Sequence, residues 1–262
     1  MSALLRPNPV RAALANGGTA YGLMAFEFFT PGLMAVLAAA SADFVVLDME
    51  HSGIGIETIR QQIAASHGLD IVPLVRVPGS HYHLIAPVLD AGAMGIMVPM
   101  VETAQQAAQI AAWCRYRPAG VRGLAFGIAH DDFTDGDVIR KMAEANARTL
   151  VIPLIETAIG IANADSIMAV EGIDVGWLGH FDLTNTMDIT AQFDHPDFHA
   201  AVEALVAACR RHGKPPGILA ASVAMAEAFR ARGFRCLGYK TDIALLHDAL
   251  HDGLAQLRAG SS

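Results

Sequence analysis

Cysteine is scarce and odd in number: Cys114, Cys209 and Cys236 lie far apart, without the even count of a disulfide framework or the short spacing of a zinc site. Buried, inert thiols in a reducing cytoplasm are the expectation. Lysine occurs only at Lys141, Lys214 and Lys240, so 18 Lys and Arg face 26 Asp and Glu and the net charge is -8. The remaining cations are scattered rather than striped, which argues against a nucleic-acid partner. Long apolar runs are missing too. Although 53% of residues are hydrophobic and the mean hydropathy is +0.37, small alanines supply much of that total. No stretch approaches the roughly 20 residues of a membrane span. Residues 1–16 are broken by Arg and Pro and do not read as a secretory leader. Neither a G-x-G-x-x-G after the first strand nor a P-loop lysine motif occurs, which disfavours a dinucleotide- or nucleotide-binding open sheet.

What is present is alternation. Strand-like runs fall near 20–26, 43–48, 71–76, 94–98, 149–155, 174–178, 216–219 and 235–239. Helical patterns occupy 31–40, 57–66, 81–90, 103–113, 157–169, 197–212, 222–232 and 242–257, with Pro31 just inside one start and Gly213 just past one end. Strands alternating with helices of this length predict a parallel sheet with crossover helices. Such units repeated over roughly 250 residues are the size of a (β/α)₈ TIM barrel. A single α/β domain spanning 1–262 is therefore expected. The longest irregular stretch, Arg115–Asp135, is expected to cover the barrel mouth. The tail Gly260-Ser261-Ser262 is expected to be disordered.

Several apolar runs end abruptly in ionisable residues. Asp43-Phe-Val-Val-Leu-Asp48 is followed by Glu50 and His51; Ile71-Val-Pro-Leu-Val ends in Arg76; Leu150–Ile155 runs into Glu156; and Val175–Leu178 leads to His180 and Asp182. Carboxyl ends of parallel strands are where α/β proteins keep their active sites. Two oxygen donors such as Glu156 and Asp182 on rigid strand ends suit a hard divalent ion, Mg²⁺ or Mn²⁺. Such an ion can chelate a 2-oxo acid and stabilise an enolate. Each acid alone reads equally well as a helix cap or turn residue; as a pair they favour the metal. His51 is the natural general base, since imidazole titrates near neutrality, with Asp48 three residues earlier placed to orient its ring. Its competing reading is a surface histidine. Arg76, at the end of an apolar strand, reads as a clamp on a substrate oxygen or as a barrel-floor ion pair. Asp90 is an acid before Gly92 that could simply end a helix.

The motifs Leu47-Asp48-Met49-Glu50-His51, Pro73-Leu74-Val75-Arg76, Ala91 through Met100, Gly120-Val121-Arg122-Gly123, Ile155-Glu156-Thr157 and Gly213 through Leu219 occur in that order. Together they resemble the HpcH/HpaI family of class II, metal-dependent pyruvate aldolases, from about Gly17 to Leu257. Within it the pattern is similar to the 4-hydroxy-2-oxoheptanedioate and 2-keto-3-deoxy sugar-acid aldolases. The resemblance implies a barrel of the phosphoenolpyruvate/pyruvate type. It implies Glu156 and Asp182 as ligands of Mg²⁺, Mn²⁺ or Co²⁺, His51 with Asp48 as the base, and Arg76 on the pyruvyl oxygen. Asp90 becomes an acid near the site, and the amides of Phe181 and Asp182 seat the pyruvate carboxylate. A homo-hexamer that exchanges its last helices is implied as well.

The chain departs from the family where relatives commonly read Gly-Pro-Ala-Asp-Leu-Ser: here the segment is Gly179-His180-Phe181-Asp182-Leu183-Thr184. The ligand position survives, but His180 and Phe181 now stand beside the substrate. Leu154 replaces a polar residue, and Met24 a Trp. The reaction this implies is reversible cleavage of a 4-hydroxy-2-oxo acid into pyruvate and an aldehyde. Three rivals remain at this level: a Schiff-base aldolase using Lys240, an acyl-CoA lyase, and a non-catalytic 2-oxo acid binder.

Overall fold

In the computed structural model, which describes residues 3–260, eight parallel strands close into a barrel in chain order. They are β1 (Ala20–Ala25), β2 (Phe44–Asp48), β3 (Val72–Arg76), β4 (Gly95–Val98), β5 (Leu150–Ile155), β6 (Gly176–Leu178), β7 (Pro216–Ala220) and β8 (Cys236–Thr241). The helices of the first half are α1 (Pro9–Ala15), α2 (Leu33–Ala39), α3 (Ile56–Ala65), α4 (Tyr82–Asp90), α5 (Ala104–Trp113) and α6 (Val138–Arg148). Those of the second half are α7 (Ala158–Ala162), α8 (Ala164–Met168), α9 (His180–Thr186), α10 (Pro196–Arg211), α11 (Val223–Ala231) and α12 (Asp242–Ala259). This is the (β/α)₈ barrel the alternation predicts.

Period-two alternation sorts strand residues into two cores. Val45, Leu47, Val75 and Ile155 point outward and pack under the helices. Phe44, Val46, Val72, Leu74, Ile152 and Leu154 point inward, with Trp177 crossing the middle of the barrel at 2% exposure. Continuing each inward series by two residues gives Asp48, Arg76 and Glu156. The same pleat that fills the barrel with hydrocarbon therefore aims its last side chains into the mouth. At the other end α1 closes the floor: Val10 and Leu14 join the interior cluster, and the Asn8 side chain donates to the carbonyls of Met94 and Arg148.

Several expectations need correction. Residues 115–135 do not cover the mouth. The stretch leaves the end of α5, and its 3₁₀ turn at Ala129–Asp131 packs by the residues that precede β3, β4 and β5. His67 lies 3.3 Å from Asp132, and Arg148 donates to the His130 carbonyl. The stretch thus lies on the amino-terminal side, opposite the strand ends. The first crossover helix starts at Leu33, after Pro31 rather than around it, and the helix expected over 157–169 is broken at Asn163 into α7 and α8. Gly213 does follow the end of α10, with φ of +63°, the left-handed conformation that suits glycine after a helix. Ser261 and Ser262, in the tail expected to be disordered, lie outside the described residues. The three cysteines are free and buried, and burial pushes the Cys114 and Cys209 thiols up to about 12, which makes them inert. Among the described residues no helix is long and apolar enough to cross a membrane.

Candidate active site

Register places the first ion pair. Asp48 and Arg76 are direct neighbours across β2 and β3, and Arg76 Nε donates to Asp48 Oδ1 at 2.5 Å. Arg76 Nη1 lies 3.1 Å from Glu50 Oε2. The third nitrogen, Nη2, is buried and has no partner in the chain. An unsatisfied buried donor costs about 1–3 kcal/mol, so the guanidinium is held by two carboxylates with one hydrogen-bonding edge left for a ligand.

Asp48, fully buried, does not hold the His51 ring as expected from its spacing. Its Oδ2 accepts from the His51 backbone N–H at 2.8 Å and its Oδ1 from the Glu50 N–H at 3.2 Å, so it shapes the turn that carries the base. The carboxylate nearest the imidazole is Glu50, with Oε2 3.7 Å from His51 Nε2. Burial raises the Glu50 carboxyl, opposed by the charge of Arg76. The other face of the ring meets Phe26, centroids 6.4 Å apart and nearly parallel, and Phe26 also lies under Arg76 at 5.4 Å. Sequence reasoning left Glu50 and Phe26 out of the site. Glu50 was visible in the Asp-x-Glu-His spacing, whereas Phe26 gave no signal of its own. The loop holding Phe26 is fixed from the end of the neighbouring strand β8, because Asp242 accepts the backbone N–H groups of Phe26, Glu27 and Phe28.

Glu156 follows β5 and is 4% exposed. It does not cap the next helix: Thr157 does that, accepting from the Gly160 N–H, while Glu156 Oε1 turns to the Met100 N–H at 2.7 Å. Burial pushes its carboxyl up to about 7, with the charges of Glu50 and Asp182 adding to the rise and the Met100 N–H and Arg76 opposing it. Gly179 is required beside it, since a Cβ there would lie 2.4 Å from Glu156 Oε2. Asp182 stands in the first turn of α9, exposed. The His180 imidazole, on a residue 8% exposed, makes no hydrogen bond among the described residues, and burial lowers it to about 4, so it stays neutral.

These side chains share one cavity of about 200 Å³. Met24, Phe26, Leu154, Trp177 and Leu219 give it apolar walls, and His51, Arg76, Glu156 and the Gly179–Asp182 segment give it polar ones. Among the described residues no group of three or more His, Cys, Asp or Glu side chains forms a metal cage. The carboxylates that line the cavity are those of Glu156 and Asp182. Two other candidates lie elsewhere. Asp90 ends α4, on the far side from the mouth, and its Oδ1 takes Arg122 Nη2 at 2.6 Å; within one chain it is no neighbour of Arg76. Lys240 is bound to Asp248 at 2.8 Å, a contact that raises its pKa. A Schiff-base lysine needs the opposite shift.

A parallel barrel whose strand ends bring an arginine, an imidazole and buried carboxylates into one small cavity defines an enzyme of the (β/α)₈ class. The chain belongs to the HpcH/HpaI aldolase/citrate lyase family, whose pattern matches residues 24–249. It is 33% identical over 241 residues to the hydroxypyruvate/pyruvate aldolase of Roseobacter denitrificans, covering 91% of this chain and 93% of that one. It is 34% identical to the 2-keto-3-deoxy-L-rhamnonate aldolase of Klebsiella pneumoniae, covering 100% of this chain and 97% of the relative. The crystal structure of the HpcH/HpaI aldolase from Desulfitobacterium hafniense superimposes with a TM-score of 0.91 at 26% identity, covering 95% of this chain and 96% of that one.

Proposed function

We propose that the protein is a pyruvate aldolase that reversibly cleaves a 4-hydroxy-2-oxo acid into pyruvate and an aldehyde. The observation that carries this reading is the unpartnered Nη2 of Arg76, buried in the cavity that His51, Glu156 and Asp182 also line. Such a donor suits an oxygen on which negative charge grows.

The donor set fits a divalent ion. Glu156 and Asp182 offer hard oxygen ligands, the second Glu156 oxygen is uncommitted, and the charge of Arg76 only partly offsets the nearby carboxylates. Mg²⁺, Mn²⁺ and Co²⁺ are the candidate ions, and when bound one would act as a Lewis acid on the 2-oxo group. Arg76 Nη2 donates to the C2 oxygen. The amides of Phe181 and Asp182, in the first turn of α9, are available to the carboxylate. His51 takes the proton of the 4-hydroxyl, with Glu50 beside its ring to favour the imidazolium that forms. As the C4–O bond becomes a carbonyl, the C3–C4 bond breaks and its electron pair moves into the enolate of pyruvate, held by Arg76. A proton delivered to C3 completes the cycle, and the apolar walls from Met24, Phe26 and Leu154 limit water in the meantime.

Assembly as a homo-hexamer, with α12 packed on a neighbour, belongs to the same proposal, as does a cytoplasmic setting for the three unpaired thiols. Incubating the protein with pyruvate in deuterated water tests the chemistry. Deuterium should enter the methyl group with Mg²⁺, Mn²⁺ or Co²⁺ added and should stop with a chelator. His51→Ala should slow cleavage about 10²–10⁴-fold while leaving Mn²⁺ affinity unchanged. Exchange that persists in the chelator, or cleavage untouched by His51→Ala, would remove the reading.

A further inference from the structure

The reaction cavity, at about 200 Å³, is small for a site that must hold both a 2-oxo acid and the substituent of its aldehyde partner. That substituent has to leave over one of the walls. On the far side of one wall lies a second cavity of about 320 Å³, and His180 and Phe181 line both. Phe181, Phe193, Phe198, Phe229 and Met225 give the second cavity its character. Its other polar side chains are Asp194, His199 and Arg232, with no Ser, Thr, Tyr, Asn or Gln among them.

The rings are already arranged as aromatic clusters prefer. Phe181 meets Phe193 at 5.0 Å and 85°, His180 meets Phe193 at 5.3 Å, and Phe193 meets Phe198 at 5.7 Å. Phe181 itself is 59% exposed at the boundary of the two cavities. A large ring left in water beside a functional cavity marks a surface that a ligand covers. A sugar-acid aldehyde would lose hydration of its hydroxyls against these rings and recover few hydrogen bonds. An aromatic aldehyde would lose almost nothing.

We infer that Phe181, backed by His180 and Phe193, binds the substituent of the aldehyde partner and selects aromatic or apolar aldehydes over polyhydroxylated ones. This rests on the aldolase reading and adds its substrate class.

Aldol addition of pyruvate to benzaldehyde and to glycolaldehyde, compared in wild type, Phe181→Ala and Phe181→Leu, tests it. Wild type should favour benzaldehyde in kcat/KM. Phe181→Ala should lower the benzaldehyde-to-glycolaldehyde ratio about tenfold or more, in the range by which an apolar pocket discriminates. Phe181→Leu, which keeps apolar bulk without the ring, should fall between. A ratio unchanged in both variants, or a wild-type preference for glycolaldehyde, would overturn the inference. Methyl exchange of pyruvate by the wild type separates the two levels. Exchange without aldehyde discrimination sinks only the subsite, whereas no exchange sinks the aldolase reading and the subsite together.

Discussion

Arg76 illustrates how much one side chain can be asked to do. Its planar guanidinium meets Asp48 through Nε and Glu50 through Nη1, which leaves Nη2 buried and unpartnered in a residue that lines the cavity. Lysine offers one compact ammonium and cannot serve three directions at fixed angles. Arg76→Lys should therefore keep the charge and lose the donor at the growing enolate. We expect kcat and kcat/KM to fall together, by about 10²–10³ as for loss of one oxyanion donor. Steady-state cleavage of a 4-hydroxy-2-oxo acid reads this out. A rise in KM alone would mean that the arginine binds substrate and transition state equally.

At the scale of elements, the stretch beyond α5 is held by buried charge as well as by the packing of Tyr116 and Phe126. Asp131, fully buried, accepts from the backbone N–H groups of Gly127 and Ile128 and from Lys141 Nζ at 2.7 Å, and the same ammonium reaches the Thr134 carbonyl. Burial alone would raise the Asp131 carboxyl, but these donors outweigh it and the pKa is lowered. A carboxyl depressed on folding contributes stability above the ordinary aspartate range, and that contribution is lost as pH falls through the depressed folded value. In Lys141→Met the donor cation is gone and the folded pKa of Asp131 moves up. Urea unfolding should show a loss of about 3–5 kcal/mol near neutrality, the cost of orphaning one member of a buried pair. The acid limb of its pH profile should also be shallower than in wild type, because a folded pKa nearer the unfolded one leaves less stability to lose on protonation. An unchanged acid limb would mean that Asp131 does not depend on this lysine.

The same region shows why some elements were legible in the sequence and others not. β2, β3 and β5 are buried on both faces, so they read as unbroken apolar runs, and the charge that ends each run marked the mouth. The buried residues of α6 are Lys141, Ala145 and Arg148, which give no apolar period, and the helix went unseen. α9, with 7 residues, is too short to show one. Spacing put Asp48 near His51 but could not tell a backbone N–H from an imidazole. Asp90 shows the limit of resemblance, since the chain alone pairs it with Arg122 rather than with the cavity.

For the whole molecule, α12 poses the largest unsettled packing problem. It runs for 18 residues, yet its one buried residue is Asp242 at its first turn. Ile243, Leu246, Leu250, Leu254 and Leu257 follow one another at intervals of three or four and are 46%, 56%, 59%, 37% and 70% exposed. That spacing is a single stripe on one face, the pattern of a helix meant to be covered. An isolated helix of this length is only marginally stable in water, and most helical stability comes from packing such a face. A second copy of the chain supplies a cover by symmetry, as most soluble oligomers do. Multi-angle light scattering should therefore find the wild type as an oligomer, with six chains the expected number. Leu246→Glu combined with Leu250→Glu puts two charges in the stripe and should shift the mass toward the single chain. Circular dichroism should keep the barrel signal and lose helicity from α12 alone. A wild type that runs as a monomer at micromolar concentration, or a double variant of unchanged mass, would mean that α12 is not the contact that joins the subunits.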